Sequence, residues 1–166
     1  MPTNYERAFE PRPDVYAAWG QLIGAIKANM DLRRYELVTL AAARGIRSSY
    51  CSLAHGKVLL EQFGEPVDEI ARDRQRSGLD QVDLAVMDFA ERVASDAASI
   101  EESDLQRLRD LGLSDDEIMD VALTAAVRCF FSKTLDALCV RPDASFNELA
   151  PELRDVLVVG RPIAEA

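Results

Sequence analysis

The sequence is short of the residues that build metal and nucleotide sites. It has one histidine and three cysteines in 166 residues. A structural zinc site takes about four nitrogen or sulfur ligands, so no metal is expected. No glycine-rich phosphate loop occurs, so nucleotide binding has no support and no cofactor is expected. Long apolar runs are missing as well. The longest, at 37–43 and 121–127, span about seven residues and each contains a threonine, against the roughly 18 needed to cross a bilayer. The amino-terminal residues lack the basic and apolar regions of a secretory signal. An odd cysteine count without such a signal argues against a disulfide framework and for reduced thiols in the cytoplasm. Positive charge is in deficit, with 19 Lys and Arg against 29 Asp and Glu, a net charge of -10. Such a surface repels phosphate backbones and anionic lipid, so nucleic acid and membranes are not expected partners.

What is present is the balance of an ordinary soluble domain. Hydrophobic residues make up 48% and charged residues 29%, and the length suits a single domain over 1–166 with a substantial core. The pattern is helical from end to end. Val15, Trp19, Leu22, Ile23 and Ile26 recur at helical spacing after Pro13. A second helix is expected over about 33–44, stopped at Gly45. A third should begin near Ser48 or Ser49, either of which could cap it, and end at Gly64. A short helix is expected after Pro66, then an exposed loop over 72–78, and another helix over about 81–95. Ser103 is expected to cap a short helix ending near Gly112. Ser114 with Glu117 forms a capping-box pattern opening a long apolar helix to about Leu138, which Pro142 ends. One or two short helices, broken at Pro151, complete the chain. Val156 to Val159 is the one β-flavoured run, too short and isolated to build a sheet. The fold class is therefore all-α.

The lone histidine stands four residues after a cysteine, in Cys51-Ser52-Leu53-Ala54-His55. On a helix, positions i and i+4 share a face, so thiol and imidazole lie on neighbouring turns. A thiolate is the nucleophilic form of cysteine, and a free thiol is mostly protonated at neutral pH. The opening turn of a helix offers partial positive charge, and an imidazole can take the thiol proton. Ser48, three residues earlier, falls on the same face and could hydrogen-bond the sulfur. Glu36 lies on the preceding helix and could orient His55 if the two helices pack as a hairpin. The plainer reading has Cys51 as a small core residue, His55 as structural, Glu36 as solvated and Ser48 as a simple cap. Cys129 and Cys139 read as core residues.

The segment Glu36-Leu37-Val38-Thr39-Leu40-Ala41-Ala42-Ala43-Arg44, followed by Ser48-Ser49-Tyr50-Cys51-Ser52-Leu53-Ala54-His55-Gly56, resembles the carboxymuconolactone decarboxylase superfamily. The likeness is to its AhpD-like alkylhydroperoxidase branch, in particular the peroxidase-related proteins. That branch carries a Glu, then twelve residues on a Cys-x-x-Cys, then a His four after the second Cys. Glu36, Cys51 and His55 match, and the likeness runs more loosely through Tyr16 to Trp19 and Cys129 to Leu138.

The resemblance implies a single AhpD-like helical domain with an active-site core at about 33–63. It also implies an intertwined or tightly packed homo-oligomer (dimer, trimer or hexamer) with the site near subunit contacts. It implies a peroxide substrate, Cys51 as nucleophile, and a proton relay of Glu36, the residue before the second Cys (here Tyr50) and His55. Packing in the core is an equal alternative for Tyr50. The first Cys of the motif is Ser48 here, so no internal disulfide can form between those positions, and an external thiol, a thiol-protein, or Cys129 or Cys139 would have to restore an oxidised Cys51. Two other outcomes are compatible with the residues. One is a decarboxylase or isomerase of a small acidic lactone using His55, and the other is a non-catalytic oligomeric member.

Overall fold

In this computed structural model residues 2–165 are described. They form helices α1 (Asn4–Phe9), α2 (Pro13–Lys27), α3 (Leu32–Gly45), α4 (Ser49–Phe63), α5 (Val67–Asp73), α6 (Gln81–Asp96), α7 (Glu102–Asp110), α8 (Asp115–Ala137) and α9 (Pro151–Leu157). Single 3-10 turns lie at Arg74–Arg76, Ala97–Ser99 and Ala144–Glu148, and no strand occurs among the described residues. The fold is all-α, as the periodicity predicts. Among the described residues no helix is long and apolar enough to cross a membrane.

The molecule is built around α3, which packs on α4, α6 and α8. Every residue from Tyr35 to Ala43 is buried. A helix apolar on all sides belongs in the middle of a fold, and the run Ala41-Ala42-Ala43 lets neighbouring backbones approach closely. Its charged ends hold it in place. Asp31 caps the Arg34 amide at 2.8 Å. Arg33 pairs with Glu65 beyond α4 and with the buried Asp83 of α6, and Arg34 also reaches Asp83.

The hairpin from α3 to α4 is tight. The Ser48 amide donates to the Ala43 carbonyl at 2.8 Å. Helix α3 ends at Gly45, as expected, and the left-handed residue of the turn is Arg47, whose φ is +59°. Gly45 is the last residue of α3, where an added Cβ would come within 3.0 Å of the Glu91 side chain and 3.2 Å of its carbonyl on α6. That glycine answers to packing, not to a left-handed turn. The carboxy-terminal segment straps the same corner: the Gly160 amide donates to Ser49 Oγ at 2.7 Å, and Arg47 Nε donates to the Val159 carbonyl.

Other boundaries differ from expectation for local reasons. The 72–78 stretch is the end of α5 and a 3-10 turn, with Ser77 buried and bonded to the Arg74 carbonyl. Ser103 lies inside α7, which is capped by Glu101 and Asp104 in a reciprocal box. Helix α1 has no counterpart in the sequence reading; a Thr3–Glu6 capping box starts it. The expected capping box at Ser114 and Glu117 is present, and Gly64 ends α4 in a left-handed conformation.

Candidate active site

Cys51 is the third residue of α4, in the first turn, and is 2% exposed. It sits in an aromatic cluster with Phe9, Tyr50, Phe131, Tyr5, Tyr16 and Trp19. Two side chains of α8 address its sulfur. Ser132 Oγ donates at 3.0 Å and Arg128 Nη1 at 3.7 Å. They stand four residues apart, so one face of α8 presents both.

His55 Nδ1 is hydrogen-bonded to Glu36 Oε2 across the α3–α4 hairpin. Lys27 Nζ lies 3.7 Å from the other Glu36 oxygen and 4.5 Å above the Tyr35 ring. Burial alone would raise the Glu36 carboxyl. The His55 hydrogen bond and the positive charges of Lys27 and Arg128 outweigh it, so Glu36 is held below its ordinary range. Burial, with Arg128 adding to it, pushes His55 down to about 4 against the pull of Glu36. The pair at neutral pH is thus a carboxylate and a neutral imidazole. An ionised carboxylate can only accept, so Nδ1 carries the hydrogen and Nε2 keeps its lone pair.

Cys51, His55, Tyr50, Lys27, Tyr35 and Arg128 line one cavity of about 230 Å³, walled by Tyr5, Tyr16, Trp19 and Phe131. No direct hydrogen bond joins the Cys51 thiol to His55 among the described contacts. Any proton passing between them travels through a molecule held in the cavity.

Two solved structures resemble this chain over most of its length. One is described as an alkylhydroperoxidase AhpD core, an uncharacterized peroxidase-related protein from Ralstonia eutropha JMP134. It aligns with TM-score 0.79 and 22% identity over 88% of this chain and 80% of its own. The other is an uncharacterized peroxidase-related protein from Silicibacter sp. TM1040, with TM-score 0.80 and 21% identity over 89% and 80%. The chain has an AhpD-like fold. No family model matches the sequence, and no curated protein does.

Within this AhpD-like fold the five expected site residues do not all meet. Cys51 and His55 both line the cavity, and Glu36 stands behind His55, joined to it by the hydrogen bond. Ser48 does not reach the sulfur. It occupies the N-cap position of α4 without a capping hydrogen bond. Its hydroxyl is buried and has no hydrogen-bond partner among the described residues. Tyr50 lines the cavity, but its hydroxyl donates to Asp143 and accepts from the Tyr5 amide at 3.4 Å. Burial and that carboxylate push the phenol strongly up, so it keeps its proton.

Cys139 corrects the reading of a core residue: it is exposed just past α8, with φ +59°. Cys129 is half-buried, its thiol donating to the Ala94 carbonyl at 3.7 Å. Arg128 and Ser132 escaped the sequence reading because they lie 77 and 81 residues from Cys51. A usable signal existed: Arg128 is a charge set inside an apolar helical stretch, and it is 3% exposed.

Proposed function

We propose that this chain is a thiol-dependent reductase of organic hydroperoxides, acting through Cys51. The observation that supports it is a cavity shared by a buried sulfur and an imidazole whose tautomer is set by a buried carboxylate. The Cys51 sulfur attacks the outer oxygen of a hydroperoxide. The S–O bond forms as the O–O bond breaks, leaving a sulfenic acid on Cys51 and an alcohol. The thiol proton reaches His55 Nε2 through a molecule held in the cavity and is returned to the departing alkoxide, while Glu36 holds the ring in place. Arg128 and Ser132 donate to the sulfur and stabilise negative charge on it. An external thiol or thiol-protein restores the cysteine, the working form is a homo-oligomer, and the setting is cytoplasmic.

The test is consumption of cumene hydroperoxide with a thiol reductant. Cys51→Ser is expected to lose it and Cys129→Ser to keep it; a Cys51→Ser protein working at the parent rate would refute the proposal. The placement of Lys27 and Arg128 on the cavity favours one second reading, a decarboxylase or isomerase of a small acidic lactone with His55 as acid and base. That reading requires turnover by Cys51→Ala but not by His55→Ala.

A further inference from the structure

Once Cys51 is oxidised, the fold leaves it without an obvious rescuer. The position three residues before it is Ser48, which cannot form a disulfide. Cys129 points across to Ala94 on α6, while Arg128 and Ser132 are the groups of α8 that face Cys51. Cys139 lies seven residues beyond Ser132, about 10 Å along the helix direction, and is exposed beside Arg161. A disulfide needs Cα atoms within about 7 Å.

The sulfur is also out of reach from outside. It is 2% exposed and is approached through an aromatic-walled cavity of about 230 Å³. A cysteine on a protein loop must bring its own backbone with it, and a space of this size admits side-chain-sized molecules. The cavity carries a charge preference too. A sulfenic acid and the neutral His55 add no charge, so Lys27 and Arg128 face the single carboxylate of Glu36. Asp143, behind Tyr50, is engaged by the Tyr50 hydroxyl and the Asn4 amide. Arg128, 3% exposed, keeps a buried Nε–H with no partner among the described residues, and so does the Trp19 indole. Both residues line the cavity. Unpaired buried donors call for an acceptor oxygen.

Resting on the hydroperoxide reading, we propose that the oxidised Cys51 is reduced by a small thiol bearing a carboxylate, which enters the same cavity, and not by a protein thiol. Its thiolate attacks the sulfenic sulfur. An S–S bond forms, the S–O bond breaks, and hydroxide leaves as water with the proton the thiol gave up. A second molecule of the thiol attacks the mixed disulfide and frees the Cys51 thiol, and the two thiols depart as their own disulfide, supplying both electrons.

The experiment uses wild-type protein oxidised with one equivalent of cumene hydroperoxide. Loss of the Cys51 sulfenic acid is followed by mass spectrometry with 3-mercaptopropionate, 2-mercaptoethanol, cysteamine or reduced thioredoxin. After correction for thiolate fraction, mercaptopropionate is expected to react about tenfold or more faster than cysteamine, a gap of the size one nearby charge can produce. It should pass through a mixed disulfide on Cys51 and outpace thioredoxin. Faster reduction by thioredoxin, or equal rates for the anionic and cationic thiols, overturns this inference alone. Failure to form a sulfenic acid overturns the hydroperoxide reading and this inference with it.

Discussion

Glu36 and His55 show how burial and contact divide the protonation of one pair. Because His55 is held down to about 4, it remains a neutral base well below the ordinary imidazole range. The rate of hydroperoxide consumption is therefore expected to show no His55 loss between pH 7 and 5 and to fall as pH approaches 4. A midpoint near 6.5 would contradict this. The same shift bears on stability. Between about 4 and 6.5 the unfolded chain binds a proton at this residue that the folded chain does not, so stability drops as pH falls through that window. Glu36, also held down, acts in the same direction. Urea midpoints at pH 7 and 5 should separate more for the wild type than for His55→Gln. Arg128 yields a second test at this scale. Its side-chain hydrogen bonds go to Cys51 and Tyr35 and not to a carboxylate, so Arg128→Met breaks no directly bonded ion pair of the kind whose loss is costly. Arg128→Met should therefore fold, yet without the donor to the sulfur it should consume cumene hydroperoxide at pH 7 about tenfold more slowly. The pairing of Glu36 with His55 was legible through the family resemblance and the short hairpin, whereas spacing alone read Glu36 as solvated and Cys51 and His55 as inert. Arg128 and Ser132 were not legible, because their approach to the sulfur depends on how α8 crosses α4.

Helix α3 carries most of the packing that fixes the site. Leu40 is fully buried at the centre of the core, and Leu40→Ala should cost about 2–5 kcal/mol, read from denaturant unfolding. Gly56, inside α4, has Leu157 of α9 against it: an added Cβ would lie 2.7 Å from one Leu157 methyl and 3.3 Å from Val67. Gly56→Ala should therefore destabilise by roughly 1–3 kcal/mol through overpacking, with Leu157→Ala in the same chain partly relieving it. Helix existence was readable from apolar period and capping residues. One start was not, where an acidic residue stands at the N-cap in place of the expected serine, as at Glu101. The 72–78 segment is largely exposed, as its charge suggests, but it holds the end of α5 and a 3-10 turn in place of a loop, with Arg74 paired to Asp88 and Glu91.

At the scale of the molecule, an apolar face interrupts the acidic surface. Leu22, Leu123 and Phe130 are exposed around a groove of about 430 Å³ between α2 and α8. If the expected homo-oligomer uses this face, sedimentation of the wild type should give a multiple of 18.4 kDa and Phe130→Glu should shift it toward the monomer. All-helical architecture followed from periodicity alone, whereas no residue pattern in a single chain specifies how many copies assemble. The account as a whole depends on the reactivity of one sulfur. The measurement that tests it most directly is peptide mass spectrometry after brief, limiting cumene hydroperoxide. The account predicts one added oxygen on Cys51, ahead of the exposed Cys139 and the half-buried Cys129. Oxidation of Cys139 first, with Cys51 unchanged, would contradict it.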